Sequence, residues 1–169
     1  SSDVCSSDLV RDNLTAGDLV SRLPAWRWGL RSDGRWDVID ENSASDADLW
    51  LAYALVEAGR VWHDSVATDS GRQLARRILA EEVATLQGIG PVLLPGKTGF
   101  ARDDSRVTVN PSYAPSFILL RLREVDSRYA ALLDTQERLL DAVTAFGFVP
   151  DWALAEANVG FVPMPGEEG

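Results

Sequence analysis

The stretch Ala44-Ser45-Asp46-Ala47-Asp48-Leu49-Trp50-Leu51-Ala52-Tyr53-Ala54-Leu55-Val56-Glu57-Ala58-Gly59-Arg60-Val61-Trp62 decides the fold. Ser45 or Asp46 can cap a helix here, and Asp48 falls in its first turn, where the helix dipole favours a carboxylate. From Leu49 onward the helix is apolar nearly all round, the mark of a helix enclosed by protein on all sides. Gly59 and His63 lie near its end, and His63 reads as a cap or surface residue. The next helix, Thr68 to about Leu86, has another character. Leu74, Ala75, Ile78, Leu79, Val83 and Leu86 share one face, while Arg72, Gln73, Arg76, Arg77, Glu81 and Glu82 form a solvated outer side.

The pair then recurs. Ser112 to Val125 is strongly apolar, and Ser127 to Ala145 is amphipathic, with Tyr129, Leu132, Leu133, Leu139, Leu140 and Val143 on one face. Between the pairs lies a segment rich in Gly and Pro. Val92-Leu93-Leu94 and Val107-Thr108-Val109 read there as short strands joined through Pro95-Gly96-Lys97-Thr98-Gly99 and Arg102-Asp103-Asp104. Trp36 to Asp40 and Val159 to Met164 are further strand candidates, and Pro150-Asp151-Trp152 starts a turn or short helix. Buried and half-buried helices in alternation imply concentric layers. The expected fold class is therefore all-α, a partial (α/α)6 barrel with short β-strands in its connecting loops. About four helices are too few to close a toroid of helical hairpins, so residues 10–169 are expected to be part of one domain, incomplete at both ends. Residues 1–9, with Ser-Ser-Asp twice, read as a non-native or disordered leader and are set aside together with Cys5.

Composition narrows the function. Lys plus Arg number 16 and Asp plus Glu 26, a net charge of −10. Nothing basic is available to neutralise phosphates in bulk, which excludes a general nucleic-acid binder and an anionic membrane surface as partner. The longest apolar run, Leu49 to Val56, is eight residues, against about 20 for a bilayer span, so no membrane insertion is expected. One Cys and one His exclude thiolate or multi-histidine metal sites, and no cofactor is expected. Gly96-Lys97-Thr98 is not a phosphate loop, since Pro91 stands where that pattern requires Gly and no helix follows.

Six Trp against three Tyr and one Met direct attention to the indoles. Capping accounts for Asp46 and Asp48 without any function. Their place at the mouth of a buried helix also suits carboxylates that hold sugar hydroxyls or do acid–base work. Trp26 and Trp28 precede them, and exposed indole faces stack on the apolar faces of pyranose rings; core packing is the other reading of these tryptophans. Carboxylates with Trp in an acidic chain point to neutral carbohydrate.

Residues 44–62 resemble the signature of glycoside hydrolase family 8: Ala-Ser/Thr-Asp-Ala/Gly-Asp, an apolar helix, then Trp. Leu23-Pro24-Ala25-Trp26-Arg27-Trp28-Gly29, Leu93-Leu94-Pro95-Gly96-Lys97-Thr98-Gly99-Phe100, Asn110-Pro111-Ser112-Tyr113 and Gly147-Phe148-Val149-Pro150-Asp151-Trp152 are similar to the endoglucanases of bacterial cellulose-synthesis operons. The resemblance covers about residues 11–165. It implies an (α/α)6 barrel and inverting hydrolysis of β-1,4-glucan, with acid and base roughly 6.5–9.5 Å apart. In the family the acid lies in a Ser-Glu-Gly segment upstream of this region, and the base in a Tyr-Asp-Ala segment downstream. Neither segment occurs in this sequence. The matched residues then have supporting roles. Asp46 corresponds to the aspartate that binds and distorts the sugar, and Tyr113 to a tyrosine near the attacking water. Trp26 or Trp28 would stack a donor-side glucose, Trp152 is a further groove residue, and Asp48 is structural. The resemblance further implies cellulose or cello-oligosaccharides as partner, a functional link to cellulose synthase, and a periplasmic or secreted location. The alternatives are a family 8 xylanase, chitosanase or lichenase, a non-catalytic glucan-binding remnant, and a helical-repeat interaction protein, though no regular repeat is found.

Overall fold

The computed structural model describes residues 10–19 and 21–164. The leader assigned to residues 1–9, Cys5 and the polar end at 165–169 lie outside them. A single π-helical turn, Val10–Leu14, opens the described chain. A hairpin follows, β1 (Arg27–Leu30) paired with β2 (Trp36–Asp40), and then a helical hairpin, α1 (Ser45–Trp62) and α2 (Ser65–Glu81). After β3 (Val83–Leu86), β4 (Gly90–Leu93), β5 (Ala101–Asp103) and β6 (Arg106–Val109) comes a second helical pair, α3 (Ser116–Leu122) and α4 (Arg128–Val143). β7 (Ala153–Glu156) and β8 (Gly160–Pro163) end it.

The two helical pairs stand where the periodicity places them. The strands are more than loop decoration. They form two two-stranded sheets, β1-β2 and β3-β4, and an antiparallel four-stranded sheet in the order β5-β6-β7-β8. The expectation of an all-α chain is corrected accordingly: helical hairpins alternate with β-hairpins. Val83 to Leu86 continues the apolar spacing of α2 but pairs with Gly90–Leu93 in register Val83 with Leu93 and Leu86 with Gly90. Gly88 in the turn between them and Gly90 at the start of β4 have positive φ, which helix cannot accommodate cheaply. The strands at 90–93 and 106–109 belong to different sheets and do not pair with each other. Asp151 and Trp152 lead into β7 rather than a short helix.

The α1–α2 hairpin turns on two residues. His63 adopts the left-handed conformation (φ 56°) that closes α1, and Asp64 caps α2 by accepting from the Val66 and Ala67 amides at 2.8 and 3.1 Å. The lone histidine is thus a helix terminator. Close approach depends on glycine. A Cβ at Gly71 would stand 2.9 Å from the Val56 amide nitrogen and 3.0 Å from the Ala52 carbonyl oxygen, and one at Gly59 would strike Thr68. Burial on α1 falls at Ser45, Asp48, Leu49, Ala52, Leu55, Val56 and Gly59, a single face. Trp50, Val61 and Trp62 are exposed, and Trp50 packs edge-on against Phe117 of α3, itself exposed. Within these residues α1 is therefore not enclosed on all sides.

Leu49, Ala52, Leu74, Ile78, Ile118, Leu119 and Leu122 build the main core with Tyr129, whose buried hydroxyl donates to the Ala75 carbonyl at 2.8 Å. A second core sets Leu139 and Val143 of α4 under β3, β4, β6 and β7. Among the described residues no helix is long and apolar enough to cross a membrane. Gly71→Ala is expected to destabilise the chain by about 1–3 kcal/mol, since neither helix backbone can give way. A urea midpoint unchanged from the parent would contradict this packing.

Candidate functional site

The first turn of α1 is held from outside. The N-cap is Ala44, extended and without a side-chain hydrogen bond. Neither Ser45 nor Asp46 caps the helix, contrary to the local reading. Instead, the Ser45 amide donates to the Pro95 carbonyl at 3.0 Å. Pro95 to Thr98 lie as a strap across residues 42–45. The Lys97 amide donates to Ser43 Oγ at 3.0 Å, the Thr98 amide to Asn42 Oδ1 at 3.1 Å, and Asn42 Nδ2 to the Thr98 carbonyl at 3.0 Å. A Cβ at Gly96 would collide with the Ser43 carbonyl oxygen, so glycine is required where the two backbones meet. The Pro-Gly-Lys-Thr-Gly stretch is this strap, not a phosphate cradle.

Asp46, partly exposed, stands on the turn so fixed. Tyr113 lies within reach of its charge: burial first, and then the Asp46 carboxylate, push the phenol up from its usual value. Tyr113 comes from the loop before α3. There Asn110 Oδ1 accepts from the Ser112 amide at 3.0 Å and Gln136 of α4 donates to the Pro111 carbonyl at 2.6 Å. The Trp152 ring tilts against Tyr113 (centroids 6.3 Å apart) and stacks on Phe100 (6.4 Å, 15° between planes). Phe100 in turn lies over Gly96. Asp46, Tyr113 and Trp152 are thus brought into one neighbourhood with the strap. The sequence reading did not select Phe100 as a site residue, although it closes the quoted strap motif.

The two early tryptophans separate. The Trp26 amide donates to the Asn42 carbonyl at 2.8 Å, which anchors it beside the strap. Its ring borders a cavity of about 110 Å3 with Ala44, Ala47 and Asp48. The Arg27 guanidinium sits 5.7 Å from that ring. Asp40, accepting first from the Asn42 amide and then from the Trp26 indole, is held below the usual carboxylate range. Trp28 instead stacks on Trp36 across the β1–β2 hairpin at 4.9 Å.

Asp48 is buried and faces Glu82, the residue that closes α2. Burial, then the neighbouring carboxylate, drive the Asp48 carboxyl up, and burial does the same to Glu82 against the hydrogen bonds it accepts. The helical periodicity places Glu82 on the solvated side beside Glu81; the structure buries it completely. No spacing signal in the sequence marks it.

A carboxylate, a phenol and aromatic faces lining one side of a fold offer hydrogen-bond acceptors for hydroxyls and apolar planes for a ring. That chemistry is compatible with a carbohydrate ring held against a helical-hairpin scaffold. Residues 7–164 match the family described as "Glycosyl hydrolases family 8", and the chain belongs to that family. It is 44% identical over 154 residues to an endoglucanase of Escherichia coli strain K12, covering 91% of this chain and 42% of that protein. An endoglucanase of Xanthomonas axonopodis pv. citri is 46% identical over 146 residues, 85% of this chain and 38% of its own length. The crystal structure of an endo-1,4-D-glucanase from Vibrio fischeri superimposes with a TM-score of 0.86 at 39% identity, over 90% of this chain and 45% of that one. The chain therefore spans less than half the length of these relatives.

Asn42→Ala removes both side-chain bonds to Thr98, worth about 1–3 kcal/mol together. Faster hydrogen exchange at the Thr98 amide, with the α4 amides unchanged, is the expected result.

Proposed function

We propose that this chain is an internal segment of an inverting endo-β-1,4-glucanase and carries the sugar-holding wall of its cleft. The observation that carries the reading is the convergence of Asp46, Tyr113 and Trp152 on the strapped turn of α1. The 39–46% identity to endoglucanases supports it. In this reading Asp46 accepts hydroxyl hydrogen bonds from the glucose at the point of cleavage and favours its distorted ring. Tyr113 orients the attacking water. Trp26 stacks a donor-side glucose in preference to Trp28, and Trp152 lines the groove. The placement of Trp26 beside the strap supports that choice.

The general acid and base belong to Ser-Glu-Gly and Tyr-Asp-Ala segments that these 169 residues do not contain. The exposed Trp50, Phe117 and Leu120 fit a partial (α/α)6 barrel whose remaining helices would cover them. In this reading the whole enzyme works in the periplasm or outside the cell, with a functional link to cellulose synthase, as the family resemblance implies. A family 8 xylanase, chitosanase or lichenase is the second reading, because the signature serves several sugars. A remnant that binds glucan without cutting it is the third.

The test is calorimetric titration of the chain with cellopentaose beside an assay on soluble cellulose derivatives. Binding without release of reducing ends is expected. Asp46→Asn should weaken binding by about tenfold to a hundredfold, the value of hydrogen bonds to a charged group, and Trp26→Ala by up to about tenfold. Hydrolysis abolished by Asp46→Asn would overturn the absence of acid and base. Tighter binding of xylopentaose than of cellopentaose would favour the second reading.

A further inference from the structure

The buried carboxyls of Asp48 and Glu82 have no part in the proposed chemistry, yet they join the elements that hold Asp46. Asp48 belongs to the first turn of α1 and is 2% exposed; Glu82 closes α2 and is 0% exposed. Glu82 Oε1 accepts from Ser43 Oγ at 2.5 Å, and Ser43 Oγ accepts from the Lys97 amide of the strap. The Glu82 carbonyl accepts from the Leu94 amide at 2.8 Å, immediately before the strap. Asp48 Oδ2 and Glu82 Oε2 are buried without a donor among the described residues. An ionised carboxylate only accepts, and two buried charges face to face cost several kcal/mol each. A single proton between them converts two orphan acceptors into a donor and an acceptor. Glu82 already has the Ser43 hydroxyl to stabilise its charge, so the proton belongs on Asp48.

We propose that Asp48 and Glu82 are positioning residues that share one proton, Asp48 donating to Glu82, and that this bond locks the turn bearing Asp46 against the end of α2 and the strap. The inference rests on Asp46 being the sugar-binding residue. The charged groups facing the pair act in opposite senses. Asp46 on α1 and Glu81 on α2 oppose a second ionisation, Lys97 on the strap favours it, and Tyr129 on α4 remains a neutral phenol that feels Glu82. Both carboxyls are raised in the folded chain. Below both raised values the pair carries two protons and is fully stabilising; the shared-proton bond spans the interval between the Glu82 and Asp48 values, and the stabilisation is lost as pH rises through them.

The test is a 13C titration of the Asp48 carboxyl with hydrogen-exchange protection at the Ser45 and Lys97 amides, followed from about pH 5 to about pH 10, past the raised Asp48 value, where the proton should leave. Cellopentaose affinity is measured on the same samples. In the parent chain Asp48 should stay protonated at neutrality, and protection at both amides should fall about tenfold at the alkaline end. Asp48→Asn keeps a donor that cannot ionise, so the alkaline fall in protection and affinity should disappear. Glu82→Gln reverses the bond: its amide donates, and Asp48 should titrate lower. Asp48 titrating in the ordinary carboxylate range, or Asp48→Asn losing protection at every pH, would overturn the proposal. The titration and exchange decide it whether or not sugar binds. Absence of cellopentaose binding at every pH overturns the glucan reading alone.

Discussion

The backbone of Gly96 lies against the carbonyl of Ser43, and the candidate site hangs on that contact. It lets Pro95 supply the acceptor for the first amide of α1, one of the helix-start donors that have no partner within the helix. Released from capping, Asp46 is free to face outward. Asn42 then fastens the far side of the strap with one side chain bonded in both directions. Loops that carry function need such rigid backing, because a misplaced carboxylate loses most of its hydrogen-bond energy.

From the strap the structure extends two ways. Outward, Phe100 passes the constraint to Trp152 and Tyr113 through ring contacts. Inward, Ser43 passes it to Glu82 and Asp48, where helix ends meet in a buried interior. The aromatic side offers surface to a ring with apolar faces; the acid side offers rigidity that depends on one proton. The Gly59 and Gly71 approaches set α1 and α2 close enough for their ends to share that interior.

The periodic signal reads what is periodic. Both helical pairs, the strand at Trp36–Asp40 and the sugar-facing candidates stand out because spacing or motif carries them. Three features escape. Val83 and Leu86 extend the face of α2 by i, i+4 and i+3 steps, and only the glycine-rich turn that follows makes them a strand. Ala44 becomes the N-cap because its helix is capped by a residue fifty positions away, which no local pattern encodes. Glu82 looks like Glu81, yet the end of the helix rotates it inward beside Asp48. The separation of Trp26 from Trp28 likewise comes from a backbone hydrogen bond to Asn42, not from composition.

The central claim is that the strapped turn of α1 presents a glucan-binding wall. Chemical-shift mapping of the 15N-labelled chain with cellopentaose tests it most directly. The account predicts perturbations at the amides of Asp46, Tyr113 and Thr98 and at the indole N–H groups of Trp26 and Trp152. Perturbations confined to the Trp28–Trp36 hairpin, or absent from the strap, would contradict it.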